Sequence, residues 1–308
     1  MIDRIKEPPF GKIETIDLME PAVHHLSNGL PVFSVNAGTQ DVLKVELVFG
    51  AGTSTPDKLL VGSSAINLMK EGTDQRSAAE IAEAVDFYGS YLQTEIANEE
   101  SSLSLYTLNK HLKNTLPTLA EVYAEAAYPA REFETYTRKN QQEMMVNEQK
   151  VGYLCSKAFT ATLFGATHPY GRSASVDDYD ALNQEDLIEF HRSQIKDRIL
   201  YILVSGRMSE DTISRLDDFF GNRPRLPLPE RPLNFDDVAA AETHVLKQDA
   251  VQNSIKVGRV LFNRTHPDFV GMQILSTVLG GYFGSRLMDN IREDKGYTYG
   301  ISAGMVSL

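Results

Sequence analysis

The segment from residue 279 to residue 299 contains the side chains with the clearest chemical potential. Arg292 lies near the end of a predicted helix that Gly296 terminates, and Tyr299 follows seven positions later in a predicted strand. A guanidinium and a phenol that meet at one site can bind a peptide carbonyl or a developing oxyanion. The alternative is structural, with Arg292 stabilised by the helix macrodipole and Tyr299 on a sheet surface. Taken alone, these residues favour the structural interpretation.

The histidines give little indication of a metal site. No two of the seven form an i, i+4 pair with an acid between them on a predicted helix. His24 and His25 are adjacent, so their rings project to opposite sides of an extended segment. We interpret all of them as solvated or capping residues: His24, His25, His111, His168, His191, His244 and His266.

Hydroxyl and thiol nucleophiles are equally weak candidates. Ser63 and Ser64 precede Lys70 by about two helical turns, so a serine–lysine dyad is out of reach and a helix-capping role is favoured. Cys155 is the single cysteine, which excludes an intramolecular disulfide, and we interpret it as a buried thiol. The sequence contains no phosphate-binding loop, dinucleotide-binding glycine motif or nucleophile elbow.

Composition excludes further classes of protein. The formal net charge of −12 argues against a nucleic-acid partner and against binding to an anionic membrane. No apolar run approaches the roughly 18 residues of a membrane span, and no signal peptide is recognisable. We therefore expect a cytoplasmic protein, or a periplasmic one if a signal has been trimmed.

The elements that must position these side chains begin with strands. Asn28-Gly29 predicts a turn before an alternating segment that ends at Val35, and we expect this segment to pair with a second alternating run at residues 43–49. Ser77 and Glu80 form a capping-box pattern that opens a helix. The remaining periodicity predicts these elements in order: helices at 59–70 and 77–88, strands at 91–96 and 101–108, helices at 110–127, 132–164 and 183–194, a strand at 198–204 and a helix at 211–220. This order predicts an α+β domain with helices on one face of an antiparallel sheet.

A proline-rich stretch separates this domain from a second, similar unit. Four prolines interrupt a charged segment, which we interpret as a linker over residues 223–242, between a first domain at 1–222 with an N-terminal lead-in and a second at 243–308. The second unit repeats the pattern, with strands at 243–247 and 253–261, helices at 268–279 and 285–293, and a strand from Tyr297. Because about 70 residues bury too small a core, we expect this second half to be incomplete.

Several short motifs, weak singly but specific in their order and spacing, resemble the pitrilysin/insulinase-type zinc metallopeptidases. They are LSNGLPV at 26–32, EGT at 71–73 with RSAAEI at 76–81, HPYG at 168–171, PDF at 267–269, LGG at 279–281, SRL at 285–287 and IRE at 291–293. This family includes the mitochondrial processing peptidase and the respiratory-complex core proteins. The resemblance implies two similar α+β halves that close like a clamshell around a peptide.

The resemblance also implies that the zinc site has been lost. Active members carry His-x-x-Glu-His just before the Gly-Thr, and those positions here hold Ser63, Ile66 and Asn67. A third, glutamate ligand would fall near Glu143 or Glu148, but a lone carboxylate cannot hold zinc where three protein ligands are needed. We therefore expect no metal in this chain, no residue to activate a water and no peptidase activity alone.

In family pairs where one subunit holds the zinc, the partner supplies an Arg and a Tyr at the spacing of Arg292 and Tyr299. The resemblance thus reverses the preference for a structural role. It implies an inactive subunit that binds extended peptide and presents both side chains to a zinc-bearing sister subunit. The glycine-rich loop of the processing peptidase's non-catalytic subunit is much reduced here. A structural subunit of the core-protein type, a homodimer in isolation and a self-sufficient enzyme with an unrecognised site remain alternatives.

Overall fold

Alternating apolar and polar residues build one six-stranded sheet. The fold is that of a computed structural model, which describes residues 11–12, 14–229 and 241–307. The strands are β1 (Ala22–His25), β2 (Pro31–Asn36), β3 (Val42–Phe49), β4 (Tyr91–Ile96), β5 (Ser101–Leu108) and β6 (Ile199–Gly206). Their order in the sheet is β1-β2-β6-β3-β5-β4, so β1 and β4 are the edge strands. Residues 1–10 of the predicted lead-in and 230–240 of the predicted linker lie outside the described residues.

The predicted pairing of the first two alternating segments is wrong. Strand β6 lies between β2 and β3, parallel to β2 and antiparallel to β3. The sheet, which was expected to be antiparallel, therefore contains one parallel pair of strands, β2 and β6. Ile202 and Val204 of β6 are fully buried. In the middle of the sheet, this apolar strand forms hydrogen bonds with a neighbouring strand on each side. A second difference is that β1, a strand that the sequence analysis does not predict, pairs with β2 across the Asn28-Gly29 turn, where Gly29 has a φ of 80°.

Helices cover one face of this sheet, as predicted. They are α1 (Val61–Leu68), α2 (Ala78–Asp86), α3 (Leu112–Glu125), α4 (Ala130–Asn147), α5 (Val151–Phe164), α6 (Val176–Ala181), α7 (Gln184–Phe190), α8 (Thr212–Leu216) and α9 (Phe269–Gly280). The apolar strand residues Val45, Leu47 and Leu105 are buried against α1, α3 and α7. The helix predicted at 132–164 is two helices, because residues 148–150 form a tight turn between polar α4 and apolar α5.

Local helix signals are well reproduced. Ser77 and Glu80 form the predicted capping box at the start of α2. The Arg76 guanidinium donates to the carboxylate of Glu121 on α3, to which the Thr73 hydroxyl also donates at 2.7 Å. Burial opposes ionisation of Glu121, but these hydrogen bonds outweigh it and lower the pKa of the carboxyl. The EGT and RSAAEI motifs therefore hold the loop between α1 and α2 against α3.

The strands predicted in the second unit are not formed within the described residues 241–307. Residues 243–247, 253–261 and those from Tyr297 are irregular, and Leu246 is 96% exposed. A strand requires a hydrogen-bonded neighbour, and strand propensity alone provides none. The predicted helices do form, as α9 and as a helix that continues into the π-helical segment Met288–Asp294.

His191 is a buried histidine whose environment keeps it neutral. It begins the π-helical turn His191–Ile195, and its Nε2 lies 2.9 Å from the carbonyl oxygen of Tyr123. Its ring packs edge-on against Tyr128, with centroids 5.9 Å apart. Burial lowers the pKa of His191 to about 4, well below its ordinary 6.5.

We expect acid to destabilise the fold through His191. His191 binds a proton below about pH 6.5 in the unfolded chain but only near pH 4 in the folded chain. The stability that depends on a neutral His191 is therefore complete above pH 6.5 and is lost as the pH falls from 6.5 to 4. Urea unfolding at pH 7 and pH 4.5 should show a loss of about 2 kcal/mol that His191→Phe lacks. His25→Phe, at an exposed histidine, should keep the full loss. An unchanged pH dependence in His191→Phe would contradict this assignment.

Candidate functional site

The degenerate zinc-motif positions lie on α1, which is held tightly against neighbouring backbone. A side chain at Gly62 would approach the carbonyl oxygen of Gly52 to 2.8 Å, and one at Gly52 would approach that of Asn98 to 2.4 Å. Two glycines therefore permit the close contact between the first turn of α1 and the preceding loop. This contact fixes the helix against the β4–β5 hairpin.

The three positions on α1 have distinct structural partners. Ile66 is fully buried in the hydrophobic core. Ser63 donates from its hydroxyl to the carbonyl oxygen of Leu60 at 3.0 Å, and Asn67 donates from its amide to the Tyr136 hydroxyl at 3.3 Å. Lys70 pairs with Glu71 at 2.8 Å, so the structure does not bring it to Ser63. None of these three side chains resembles a zinc ligand, and the site does not fit the metal.

The two carboxylates considered as a third ligand are placed differently. Glu148, which caps α4, pairs with Lys157 of α5 at 3.3 Å. Glu143 is exposed and forms no ion pair with any described residue. Within the described ranges, no group of three or more His, Cys, Asp or Glu side chains is arranged to hold a metal ion.

Residues in and next to the HPYG motif contact the loop before α1 and the β4–β5 hairpin. The Tyr170 hydroxyl donates to the Glu99 carboxylate, and burial together with this hydrogen bond raises the pKa of the phenol. Arg172 donates to the carbonyl oxygen of Asp57 at 2.6 Å, in the loop that leads into α1. The motif therefore anchors the end of α5 to two loops beside α1, a role its sequence did not reveal.

Arg292 lies in the last turn of the π-helical segment Met288–Asp294, which agrees with the predicted position near a helix end. Gly296, with a φ of 64°, ends the helix and donates to the Arg292 carbonyl at 3.0 Å. The Arg292 guanidinium lies over the ring of Phe283, 4.8 Å from its centroid, and its Nε is 3.5 Å from a Glu293 carboxylate oxygen.

Tyr299 is 93% exposed and lies in an irregular segment, so the predicted strand around it is absent from this described part of the chain. The structure does not bring its side chain into contact with Arg292. Both side chains reach the surface of the second unit, and their joint role stays a prediction.

Three tyrosines on α4, α5 and α6 follow no pattern that the sequence reveals. Tyr136 of α4 accepts a hydrogen bond from Asn67 of α1, and Tyr179 of α6 interacts electrostatically with Tyr136, Tyr153 and Glu143. Burial raises the pKa of Tyr179 to about 12, with further contributions from these neighbouring groups. Residues 136, 153 and 179 come from three helices and follow no spacing rule, so no sequence pattern could have grouped them.

Comparison with known proteins supports the resemblance that the sequence motifs indicate. Residues 181–308 match the family model described as the peptidase M16 inactive domain. A Pseudomonas fluorescens crystal structure, also described as a peptidase M16 inactive domain, has a TM-score of 0.79 at 20% identity and covers 94% of this chain and 72% of that chain. The resemblance to the pitrilysin/insulinase-type peptidases is confirmed, as is the α+β fold.

The curated relatives are longer than this chain. A Mycobacterium leprae protein described as an uncharacterized zinc protease is 23% identical over 288 residues, which cover 91% of this chain and 64% of that protein. A Helicobacter pylori protein described as a non-peptidase homolog is 22% identical and covers 83% of this chain and 60% of its own length. The chain therefore spans less than two thirds of these relatives. No helix in the described ranges is long and apolar enough to cross a membrane.

We expect a glutamate at position 66, where the resemblance implies the catalytic residue of active members, to destabilise the fold. Ile66→Glu places a carboxylate in the hydrophobic core and should lower the free energy of unfolding by about 3 kcal/mol or more, because the apolar residues of this core cannot replace the water that the charge loses. Ile66→Val should lower it by about 1 kcal/mol. Urea unfolding measures both. Equal stability of Ile66→Glu and the native chain would show that α1 presents this position to solvent.

Proposed function

We propose that this chain is a catalytically inactive, substrate-binding subunit of a two-chain zinc metallopeptidase. The proposal depends chiefly on α1, where Ile66 is in the core and Asn67 is bonded to Tyr136 instead of facing a metal. Peptide hydrolysis in this family needs a zinc-bound water and a general base. Because this chain offers neither at these positions, a sister subunit must supply both.

An open sheet edge supports peptide binding. Strand β4 hydrogen bonds to β5 on one side, and no described strand pairs with its other side. The free N–H and C=O groups of such an edge can add an extended peptide as a further strand. Alternate side chains of the peptide would then face the helical side of the sheet and its open side.

The surroundings of Arg292 support its role at a partner's site. Its guanidinium is held over Phe283, and its side chain is one-third exposed. It also lies in a π-helical segment, a conformation often found at functional sites. With exposed Tyr299 in the same unit, the chain can offer a cation and a phenol to a peptide carbonyl that a partner's zinc polarises.

A structural or assembly role is the second candidate, and one observation favours it. Helix α9 carries apolar side chains that are more than half exposed, among them Val270, Ile274 and Leu275. Contiguous exposed apolar surface is typical of protein–protein interfaces. A subunit of the core-protein type would use this surface for assembly and would have no affinity for peptide.

We expect Arg292→Ala to leave the fold intact and to lower peptide hydrolysis by the assembled pair. Loss of one transition-state donor should reduce kcat by about 100-fold. The measurement is steady-state hydrolysis of a fluorogenic peptide by the reconstituted pair, with circular dichroism as the test of folding.

The matched control is Arg286→Ala. Arg286 is exposed in the same unit and forms no ion pair with a described residue, so its loss should leave activity unchanged. Full activity of the Arg292→Ala pair would eliminate the proposed role of Arg292. Peptide binding by the chain without any effect on a partner's activity would favour a peptide-binding role outside catalysis.

A further inference from the structure

A row of three side chains crosses the open face of the sheet. Tyr91 of β4 lies opposite Tyr106 of β5, which lies opposite Lys44 of β3. Their neighbours along the strands, Leu105 and Val45, are buried in the core. Because successive strand residues point to opposite faces, the row projects from the face that the helices leave uncovered.

The two tyrosine rings of this row are stacked. Their centroids are 4.6 Å apart, and their planes differ by 11°. This separation matches the roughly 4.8 Å between neighbouring strands, so the stack runs from strand to strand along the row. One face of the Tyr91 ring is therefore covered by Tyr106, and the other face lies towards the free side of β4. The Tyr91 side chain is 50% exposed there.

Lys44 holds the inner end of the row. Its Nζ lies 5.5 Å from the centroid of the Tyr106 ring and 2.7 Å from a carboxylate oxygen of Glu46 on the same strand. The ion pair fixes the ammonium, and contact with the ammonium on one side and with Tyr91 on the other fixes the Tyr106 ring. The row therefore ends in a preorganised aromatic surface at the edge of the sheet.

The other side chains of β4 on this face contact each other. They are Gln93 and Glu95, and the Gln93 amide donates to the Glu95 carboxylate at 2.8 Å. Both positions are polar. Tyr91 is therefore the residue through which β4 offers an apolar surface on the open face.

We propose that the free face of Tyr91 binds an aromatic side chain of an extended peptide that adds to β4. The site rests on the proposed peptide-binding function and names the class of peptide that this edge selects. A peptide residue directly opposite Tyr91 has its Cβ about 5 Å away, as neighbouring members of a cross-strand row do. A ring at that position becomes the third ring of the stack.

An aromatic ring fits this surface better than a saturated ring of the same size. Either ring covers the face of Tyr91 and removes apolar area from water. Only the aromatic ring gains the additional attraction between the quadrupoles of stacked rings. Comparison of the two therefore separates stacking from simple apolar burial.

The test compares two peptides on the full chain. Fluorescence anisotropy measures the affinity of a labelled, threonine-rich nonapeptide with one central phenylalanine and of the same peptide with cyclohexylalanine. We expect the native chain to bind the phenylalanine peptide about fivefold more tightly. Tyr91→Leu should reduce this preference to less than about twofold, and Tyr91→Phe should retain it. The main-chain groups of β4 are unchanged in both variants, so each should still bind both peptides.

The matched control is Phe87→Leu. Phe87 is 81% exposed at the end of α2, outside the row. This variant should keep the fivefold preference. Equal binding of both peptides by the native chain, a preference that survives Tyr91→Leu, or one that Tyr91→Phe or Phe87→Leu removes overturns the aromatic site and leaves peptide binding standing. Failure of the native chain to bind either peptide overturns both proposals.

Discussion

The burial of Ile66 on α1 is the constraint on which the rest of the structure depends. This residue lies in the core between the sheet and the helices, at the position where the resemblance to the zinc metallopeptidases would place a catalytic glutamate. A buried carboxylate without a partner is strongly destabilising, so the packing that holds α1 against β4 and α7 is incompatible with that chemistry. The same packing that stabilises this chain therefore leaves no room for a charged side chain at position 66.

Groups able to bind a ligand lie around this core on rigid elements. Edge strand β4 offers unpaired main-chain groups, and α4 places Tyr136 beside α1. Arg292 lies in the second unit, held over Phe283. These features are the basis of the proposal that the chain binds and positions a peptide for a partner subunit. The apolar surface of α9 gives the same chain a place for protein contact.

Local features of the fold could be predicted, and non-local ones could not. The capping box at Ser77 depends on a four-residue pattern, and the structure reproduces it. The insertion of β6 between β2 and β3 depends on core burial across the whole domain, so a neighbouring hairpin was predicted instead. The site divides in the same way. The altered motif positions follow from the family resemblance counted back from Gly72, whereas the contact of Asn67 with Tyr136 depends on the packing of α1 against α4.

The most direct test of the central claim is the composition of the native complex. The full-length protein would be isolated from its own cells, its stoichiometric companions identified by mass spectrometry and its zinc content measured. The account predicts one companion of similar size that carries His-x-x-Glu-His, and one zinc per pair. A complex without such a companion and without zinc would contradict the account and favour the structural role.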